Sequence, residues 1–283
     1  MSGWVHQVGD LIELRYRVHG LLGREGCGEV YLVSDERDGE VYALKALLDR
    51  PAAEPSWRER FRREASIWID VGKHPYVVQA WFVLQAPTRL YIGLDYIPPD
   101  LYGVNSVADA LKIRPPDLPH ALRWSIQFCV GMEHAYARGV RSHRDIKPEN
   151  ILLSGWNTVK ISDFGIASAV GGEGVAISAS EAVKGGAGEP ELTGTGEVFG
   201  SLAYMSPEQL DDATLCDERT DIYAFGIVLY QMLSYGKYPY AFDVLPGENP
   251  VAWARRVHKG SDPAPIDSPL WAIVRGCLAK KPT

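Results

Sequence analysis

The hydrophobic pattern of this 283-residue chain changes period at Pro98-Pro99, and that change limits what the chain can fold into. Upstream, residues 16–22, 30–34 and 41–47 are rich in β-branched and aromatic side chains and predict strands. Asp38-Gly39, between the last two, predicts a hairpin turn. Residues 77–84 and 90–97 predict two further strands. The run PSWRERFRREASIWIDVG interrupts them: Trp57, Phe61, Ala65 and Trp68 fall at helical spacing. Ser56 and Glu59 have the spacing of a capping box, and Gly72 suits a helix C-terminus. Downstream, residues 118–138 predict an apolar-rich helix, and residues 221–235 are apolar on most faces, as in a helix buried within a lobe. Only residues 151–161 carry short strands there. The expected fold class is α+β in two lobes: a small β-rich N-lobe, residues 1–97, and a larger helical C-lobe, residues 98–283.

The chain is 46% hydrophobic, enough for a sizeable core, and its formal charge of −7 gives no sign of nucleic-acid or anionic-membrane binding. Cys27, Cys129, Cys216 and Cys277 are far apart, which argues against a disulfide framework or a zinc site and for a reducing, cytoplasmic setting. The first ten residues have no basic and apolar leader pattern, and the longest apolar stretch, near residues 225–233, is too short to span a bilayer. Residues 169–190 are rich in Gly and Ala without periodicity, the mark of a functional or disordered loop.

Three features carry chemistry. LLGREGCGEVYLV joins the first two strands, and Gly23, Gly26 and Gly28 would let backbone N–H groups approach phosphates; a flexible hairpin is the plainer alternative. Val41, Ala43 and Lys45 share one strand face, so Lys45 points with two core residues, and Glu64 lies on or beside the buried face of the helix. Two half-buried opposite charges in one small lobe are satisfied most simply by pairing. The third is SHRDIKPENILL, residues 142–153, which gathers Arg144, Asp145, Lys147, Glu149 and Asn150 just before an apolar run.

HRDIKPENILL resembles the catalytic loop of the eukaryotic-type (Hanks-type) protein kinases, SDFGIAS resembles their D-F-G, and SPEQL stands where they have A-P-E. With the glycine loop, Lys45, Glu64 and TDIYAFG, the motifs follow in family order from about Gly9 onward, most like bacterial members. The resemblance implies the bilobal protein-kinase fold, ATP and Mg²⁺ as cofactors, and transfer of the γ-phosphoryl group to Ser/Thr hydroxyls of protein substrates, the chain itself among them. It implies that Asp145 orients the acceptor hydroxyl and takes its proton, that Lys147 sits near the γ-phosphate, and that Asn150 and Asp163 hold Mg²⁺. Lys45 would contact the α- and β-phosphates and be held by Glu64. Leu22, Gly23, Gly26, Gly28, Val30, Ala43 and Leu152 would enclose the nucleotide. Leu94 would be the gatekeeper, with backbone groups of Asp95 and Ile97 binding the adenine edge and Asp100, Asn105 or Ser106 meeting the ribose. Lys147 and Ser201 in GSLAYMSPE resemble the serine/threonine subgroup.

The chain also departs from the family pattern. Glu25 replaces the middle glycine and is expected to face solvent, and Cys27 reads as a small loop residue. Trp68 stands where the family's regulatory spine has a smaller residue, and Ala80 is small in turn, so the expected spine is Trp68, Ala80, Phe164 and His143, anchored by Asp221. Arg144 would pair with a phosphate in the long segment between Asp163 and Glu208; Glu197 aligns with the usual phosphothreonine, leaving Thr195, Thr193 and Ser201 as candidate sites. The family's usual Arg partner of Glu208 and its final helix have no counterpart in residues 1–283, so Glu208 is expected to lack that partner and the chain to be an excised catalytic domain. A pseudokinase acting as a scaffold, and a small-molecule kinase, are the rival expectations.

Overall fold

The computed structural model describes residues 6–25, 28–47, 55–86, 89–164, 200–212, 214, 216–245 and 247–281. Six strands form one antiparallel sheet: β1 (Leu11–Ile12), β2 (Tyr16–Glu25), β3 (Gly28–Asp35), β4 (Val41–Leu47), β5 (Ala80–Gln85) and β6 (Leu90–Asp95), in the order β1-β2-β3-β4-β6-β5. The turn between β3 and β4 is the one the sequence predicts. Gly39 takes φ 77°, its N–H donates to Asp35 O at 2.8 Å, and Asp38 Oδ1 accepts from Glu40 N.

Alternation splits this sheet into two unlike faces. Tyr16, Val18, Tyr31, Val33, Leu44, Ala46 and Tyr91 form a small outer core. Ala43, Ile92 and Leu94 face inward and join a core that runs without a break into the helical half. Helix α1 (Pro55–Val71) packs its Ala65, Trp68 and Val71 into that inner core. It begins one residue before Ser56, so Ser56 lies inside the first turn rather than at the cap. At its other end Gly72 takes φ 72° and donates to Ile69 O, closing the helix as expected.

The predicted strand at residues 77–84 starts later, at Ala80. Val77 and Val78 pair with the other half of the molecule instead: Val77 bridges Ile161, and Val78 N donates to Ile161 O at 2.9 Å. Apolar content marked the segment as buried; which neighbour it pairs with is a tertiary matter that no local pattern encodes.

Beyond β6 come α2 (Val107–Ile113), α3 (Leu118–Ala137), a 3-10 turn (Pro148–Asn150), the hairpin β7 (Ile151–Ser154) and β8 (Thr158–Ile161), then α4 (Glu218–Leu233), α5 (Pro250–Gly260) and α6 (Trp271–Cys277). Side-chain caps start four of them: Ser106 for α2, Asp117 for α3, Asp217 for α4 and Asn249 for α5. Helix α4 is buried on most sides, which explains its near-continuous apolar sequence. Phe128 of α3 stacks on Phe225 of α4 with ring centroids 3.9 Å apart. No helix among the described residues is long and apolar enough to cross a membrane.

Helices α4 and α6 meet at Gly226, where an added Cβ would lie 2.7 Å from Cys277 Cβ and 3.1 Å from Leu278 Cδ2. Gly226→Ala must push α6 away, and overpacking of this kind destabilises by about 1–3 kcal/mol. Thermal denaturation of Gly226→Ala should show a lower midpoint than the wild type; an unchanged midpoint would mean the two helices yield freely here.

Candidate active site

A carboxylate removed from water organises the site. Asp221, in the first turn of α4, is 2% exposed. It accepts from His143 N (2.7 Å), Arg144 N (2.9 Å), Ser142 Oγ (3.1 Å) and Tyr136 Oη (3.0 Å). Burial pushes its carboxyl up, while His143 and these donors pull it back down. The same bonds fix the backbone of residues 142–144. Arg144 is held there at φ 67°, a conformation that a non-glycine residue keeps only where its surroundings over-determine it.

Asp145 follows directly. Its Oδ2 meets Lys147 Nζ at 3.0 Å and Asn150 Nδ2 at 2.8 Å, and Asn150 Nδ2 also donates to the Asp145 carbonyl at 2.7 Å. Asn150 is 1% exposed and closes the 3-10 turn through its own N–H to Lys147 O. The structure thus brings Asp145, Lys147 and Asn150 into one bonded cluster.

His143 ties this loop to the end of β8. Its buried ring donates from Nε2 to Ser162 O at 2.7 Å, and its Nδ1 lies 3.4 Å from Asp145 N. Its ring also packs on Phe164, at 4.7 Å, and Phe164 lies 5.9 Å from the Trp68 ring. Trp68 and Ala80 are both wholly buried, and the indole N–H donates to Val78 O at 2.9 Å. The four expected spine residues are all buried, and Asp221 bonds to the backbone of one of them.

Lys45, 2% exposed, crosses from β4 to Asp163, with Nζ 2.5 Å from Oδ1. Sequence reasoning paired Lys45 with Glu64; that side chain lies outside the described residues, and the ion pair the structure shows is with Asp163. Asp163 sits at φ 65°. Burial would raise its carboxyl, but the Lys45 ammonium outweighs burial and holds it below the usual carboxylate range, with Lys147 and His143 adding to the pull.

Above these charges lies the inner face of the sheet. Cα partners are Val30↔Lys45, Leu32↔Ala43, Ala43↔Leu94 and Lys45↔Ile92. Leu94 is buried, and Val30 and Leu152 pack against the same core. Leu152 is brought opposite Ser106 by an isolated bridge, and Leu153 N donates to Asn105 O. Leu22 is half exposed at the mouth, and Gly23 pairs with Val30. A Cβ on Gly23 would meet nothing within 4 Å, whereas one on Gly93 would strike the Phe82 ring. Packing explains Gly93 but not Gly23. Gly28 opens β3, while Gly26 and Cys27 lie outside the described residues, as does the Glu25 side chain.

At the hinge, Asp95 N donates to Gln79 O and the Asp95 carboxylate accepts from Trp81 Nε1 at 2.7 Å. The Ile97 carbonyl accepts from Asn105 Nδ2, and its N–H has no partner among the described residues. Asp100 caps its own turn through Tyr102 N and Val104 N, Asn105 Nδ2 is used on the Ile97 carbonyl, and Ser106 caps α2, so all three ribose candidates are already engaged.

Ser201 lines a small cavity with Arg144, Asp145 and Tyr204, so it stands beside the cluster. Thr193, Thr195 and Glu197 lie outside the described residues. Arg144 Nε is buried with no hydrogen-bond partner among those residues. Glu208 accepts from Thr220 Oγ1 at 2.9 Å and forms no ion pair among them. Sequence reasoning missed Tyr136, Ser142 and Gln209, whose Nε2 holds the Arg144 carbonyl at 2.9 Å. Each is an ordinary polar residue locally, and only the fold gives it its partner.

A two-lobed fold that carries a buried lysine–aspartate pair and an Asp-Lys-Asn cluster defines a class, and comparison agrees with it. The family model for the protein kinase domain matches residues 16–282, and the chain belongs to that family. It is 32% identical over 280 residues to serine/threonine-protein kinase PknB of Mycobacterium tuberculosis, covering 95% of this chain and 40% of that protein. It is 32% identical to serine/threonine-protein kinase A of Synechocystis, covering 96% of this chain and 50% of that one. The chain therefore spans half or less of the length of these two relatives. The kinase domain of Mycobacterium tuberculosis PknI shares the fold, with a TM-score of 0.62 at 22% identity over 98% of this chain and 92% of that one.

The Lys45–Asp163 pair sets a pH signature. A carboxyl whose pKa is depressed on folding contributes stability above its unfolded value, near 3.9, and loses it as pH falls through the folded value. Asp163→Asn removes the carboxylate that meets the buried Lys45 ammonium and should destabilise by about 3 kcal/mol at pH 7. Denaturant titrations at pH 7, 5 and 3 should show that gap narrowing on the acid side; a gap independent of pH would exclude an ionised Asp163.

Proposed function

We propose that this chain is the catalytic domain of an ATP- and Mg²⁺-dependent serine/threonine protein kinase, with an N-lobe of residues 1–97 and a C-lobe of residues 98–283. What supports this most is the pair of charge clusters that meet at one point: Lys45 with Asp163, and Asp145 with Lys147 and Asn150. Phosphoryl transfer needs positioning and charge neutralisation more than covalent chemistry, and these residue types supply both.

The residues fit the cofactors. Gly23 leaves open space that packing does not require, and the Ile97 N–H is free among the described residues to meet an acceptor on a base. Among those residues no cluster of three or more His, Cys, Asp or Glu could hold a metal unaided. Mg²⁺ characteristically takes one or two protein oxygens and completes its shell with water and phosphate, so Asn150 and Asp163 suit a metal that arrives with the nucleotide. When bound, Mg²⁺ and ATP supply the transferable γ-phosphoryl group and the charge that neutralises it.

In this reading Val30, Ala43 and Leu152 enclose the base and exclude water, with Leu94 behind it. Lys45 holds the α- and β-phosphates. Asp145, fixed by the Asn150 amide, orients the acceptor hydroxyl and takes its proton, and Lys147 offsets charge on the γ-phosphate. Arg144, with its buried Nε unpartnered among the described residues, is placed to receive a phosphate on Thr195 or Thr193. The acceptors are proteins, this chain among them. The free thiols of Cys129, Cys216 and Cys277 suit a cytoplasmic setting.

Labelled-phosphate transfer to a generic basic protein, with Mg²⁺ and ATP, tests the reading. Asp145→Asn should lower the rate by at least about a hundredfold. Absence of transfer by the wild type, alongside ATP-dependent thermal stabilisation, would instead favour a nucleotide-binding scaffold.

A further inference from the structure

Helix α5 and the end of α6 carry a buried polar chain that the chemistry above leaves unused. His258 is completely buried. Its Nδ1 lies 3.0 Å from Tyr223 Oη and its Nε2 3.2 Å from Tyr238 Oη. Tyr238 Oη donates to the Ala203 carbonyl at 2.6 Å. At the other end Tyr223 Oη is 2.9 Å from Tyr240 Oη, and Lys280 Nζ donates to Tyr240 Oη at 2.9 Å while lying 4.2 Å from the Tyr240 ring centre.

Proton counting gives the chain one direction. Tyr238 spends its only proton on Ala203 O, so it must accept from His258, which places the imidazole proton on Nε2. Nδ1 then accepts from Tyr223, Tyr223 accepts from Tyr240, and Tyr240 accepts from Lys280. Burial pushes the His258 ring down to about 3, so it stays neutral and keeps this single tautomer at working pH. Each donor in the series is used once, and the series ends on the Ala203 backbone.

That backbone matters because of what it borders. Ser201, Tyr204 and Met205 line the same small cavity as Asp145 and Arg144, so this segment borders the residue assigned to the acceptor hydroxyl. Its own hydrogen bonds are slight: Tyr204 N to Ser201 O at 3.2 Å and Met205 N to Leu202 O at 3.3 Å. Further support comes from below: Tyr238 and Trp253 share a separate apolar cluster with Leu202, Ala203 and Met205, and Tyr204 Oη donates to Gln231 Oε1 at 2.9 Å.

We propose that His258 and Tyr238 are positioning residues for the protein acceptor: they hold the Ala203 backbone at the height where an acceptor segment presents its hydroxyl to Asp145. The inference rests on the kinase reading for its consequence but on geometry alone for the anchoring. It separates the two substrates, because this network touches the acceptor side of the site and none of the residues assigned to the nucleotide.

Steady-state kinetics on Tyr238→Phe, which removes only the hydroxyl that reaches Ala203, should show KM for a peptide acceptor raised about fivefold, as for one lost hydrogen bond, with KM for ATP unchanged. His258→Leu should act in the same direction, and His258→Gln, whose amide can donate to Tyr238 and accept from Tyr223, should recover most of the loss. Hydrogen exchange, which needs no activity, should show Tyr204 and Met205 amides exchanging faster in Tyr238→Phe than in the wild type. An unchanged peptide KM in an active Tyr238→Phe, or an equal rise in both KM values with a lower thermal midpoint, would overturn the positioning role. If the wild type transfers no phosphate at all, the kinase reading fails, and unaltered exchange at Tyr204 and Met205 would still refute the anchoring.

Discussion

The desolvated carboxylate of Asp221 is the constraint on which the rest of the site depends. A lone carboxylate in an apolar helix bundle would be strongly unfavourable or would take up a proton. Here two backbone N–H groups and two hydroxyls converge on it, and three of those donors, on residues 142–144, belong to the segment that carries Asp145, the fourth being Tyr136 of α3. The compensation that makes the burial tolerable is therefore largely the same set of bonds that shapes the loop before Asp145. Strain at Arg144 persists for that reason: relaxing its backbone would strip the carboxylate of a donor.

Helix α4 extends this arrangement beyond one residue. Thr220 donates to Glu208 and lies within reach of Ser206, Asp221 holds the loop that leads into Asp145, and Tyr223 passes the chain from Lys280 on to His258. Three side chains within four positions thus serve the Ser-Pro-Glu segment, the loop and the backbone at residue 203. Such a helix is buried by apolar contacts on most sides, so its first turns are rigid and can fix three surfaces relative to one another. Precision at the site is a product of burying polar groups at the start of an apolar helix.

Legibility in the sequence follows the range of the interaction. The β3–β4 turn, Gly72 and the inward face of Lys45 could be read because turn chemistry and alternation are local rules. The charged run at residues 142–150 could be read because its spacing is contiguous, and the structure does bond Asp145, Lys147 and Asn150 together. The bond from Lys45 to Asp163 was less accessible, because the two lie 118 residues apart in sequence and only the fold brings them together. Val77 and Val78 looked like a strand of the sheet and pair instead with β8. The Tyr223–His258–Tyr238 chain had no signal at all, since tyrosines and a histidine scattered over α4, the following loop and α5 acquire meaning only when the fold converges them.

The large side chain of Trp68 fits the same logic. In a family spine a tryptophan could displace its helix, yet here Trp68 is wholly buried beside Ala80, whose small volume leaves it room. Its indole N–H is not left unsatisfied, because Val78 O accepts it. Val78 in turn donates to Ile161, and Ile161 donates to Tyr76, so the bond ties α1 to the strand that leads into Ser162, Asp163 and Phe164. The Trp68, Phe164 and His143 rings complete a path from α1 to the loop before Asp145, made of buried contacts throughout. Tryptophan therefore contributes both volume and a directed hydrogen bond, and the helix it sits on is attached to the lower lobe by backbone pairing rather than by the ring stack alone.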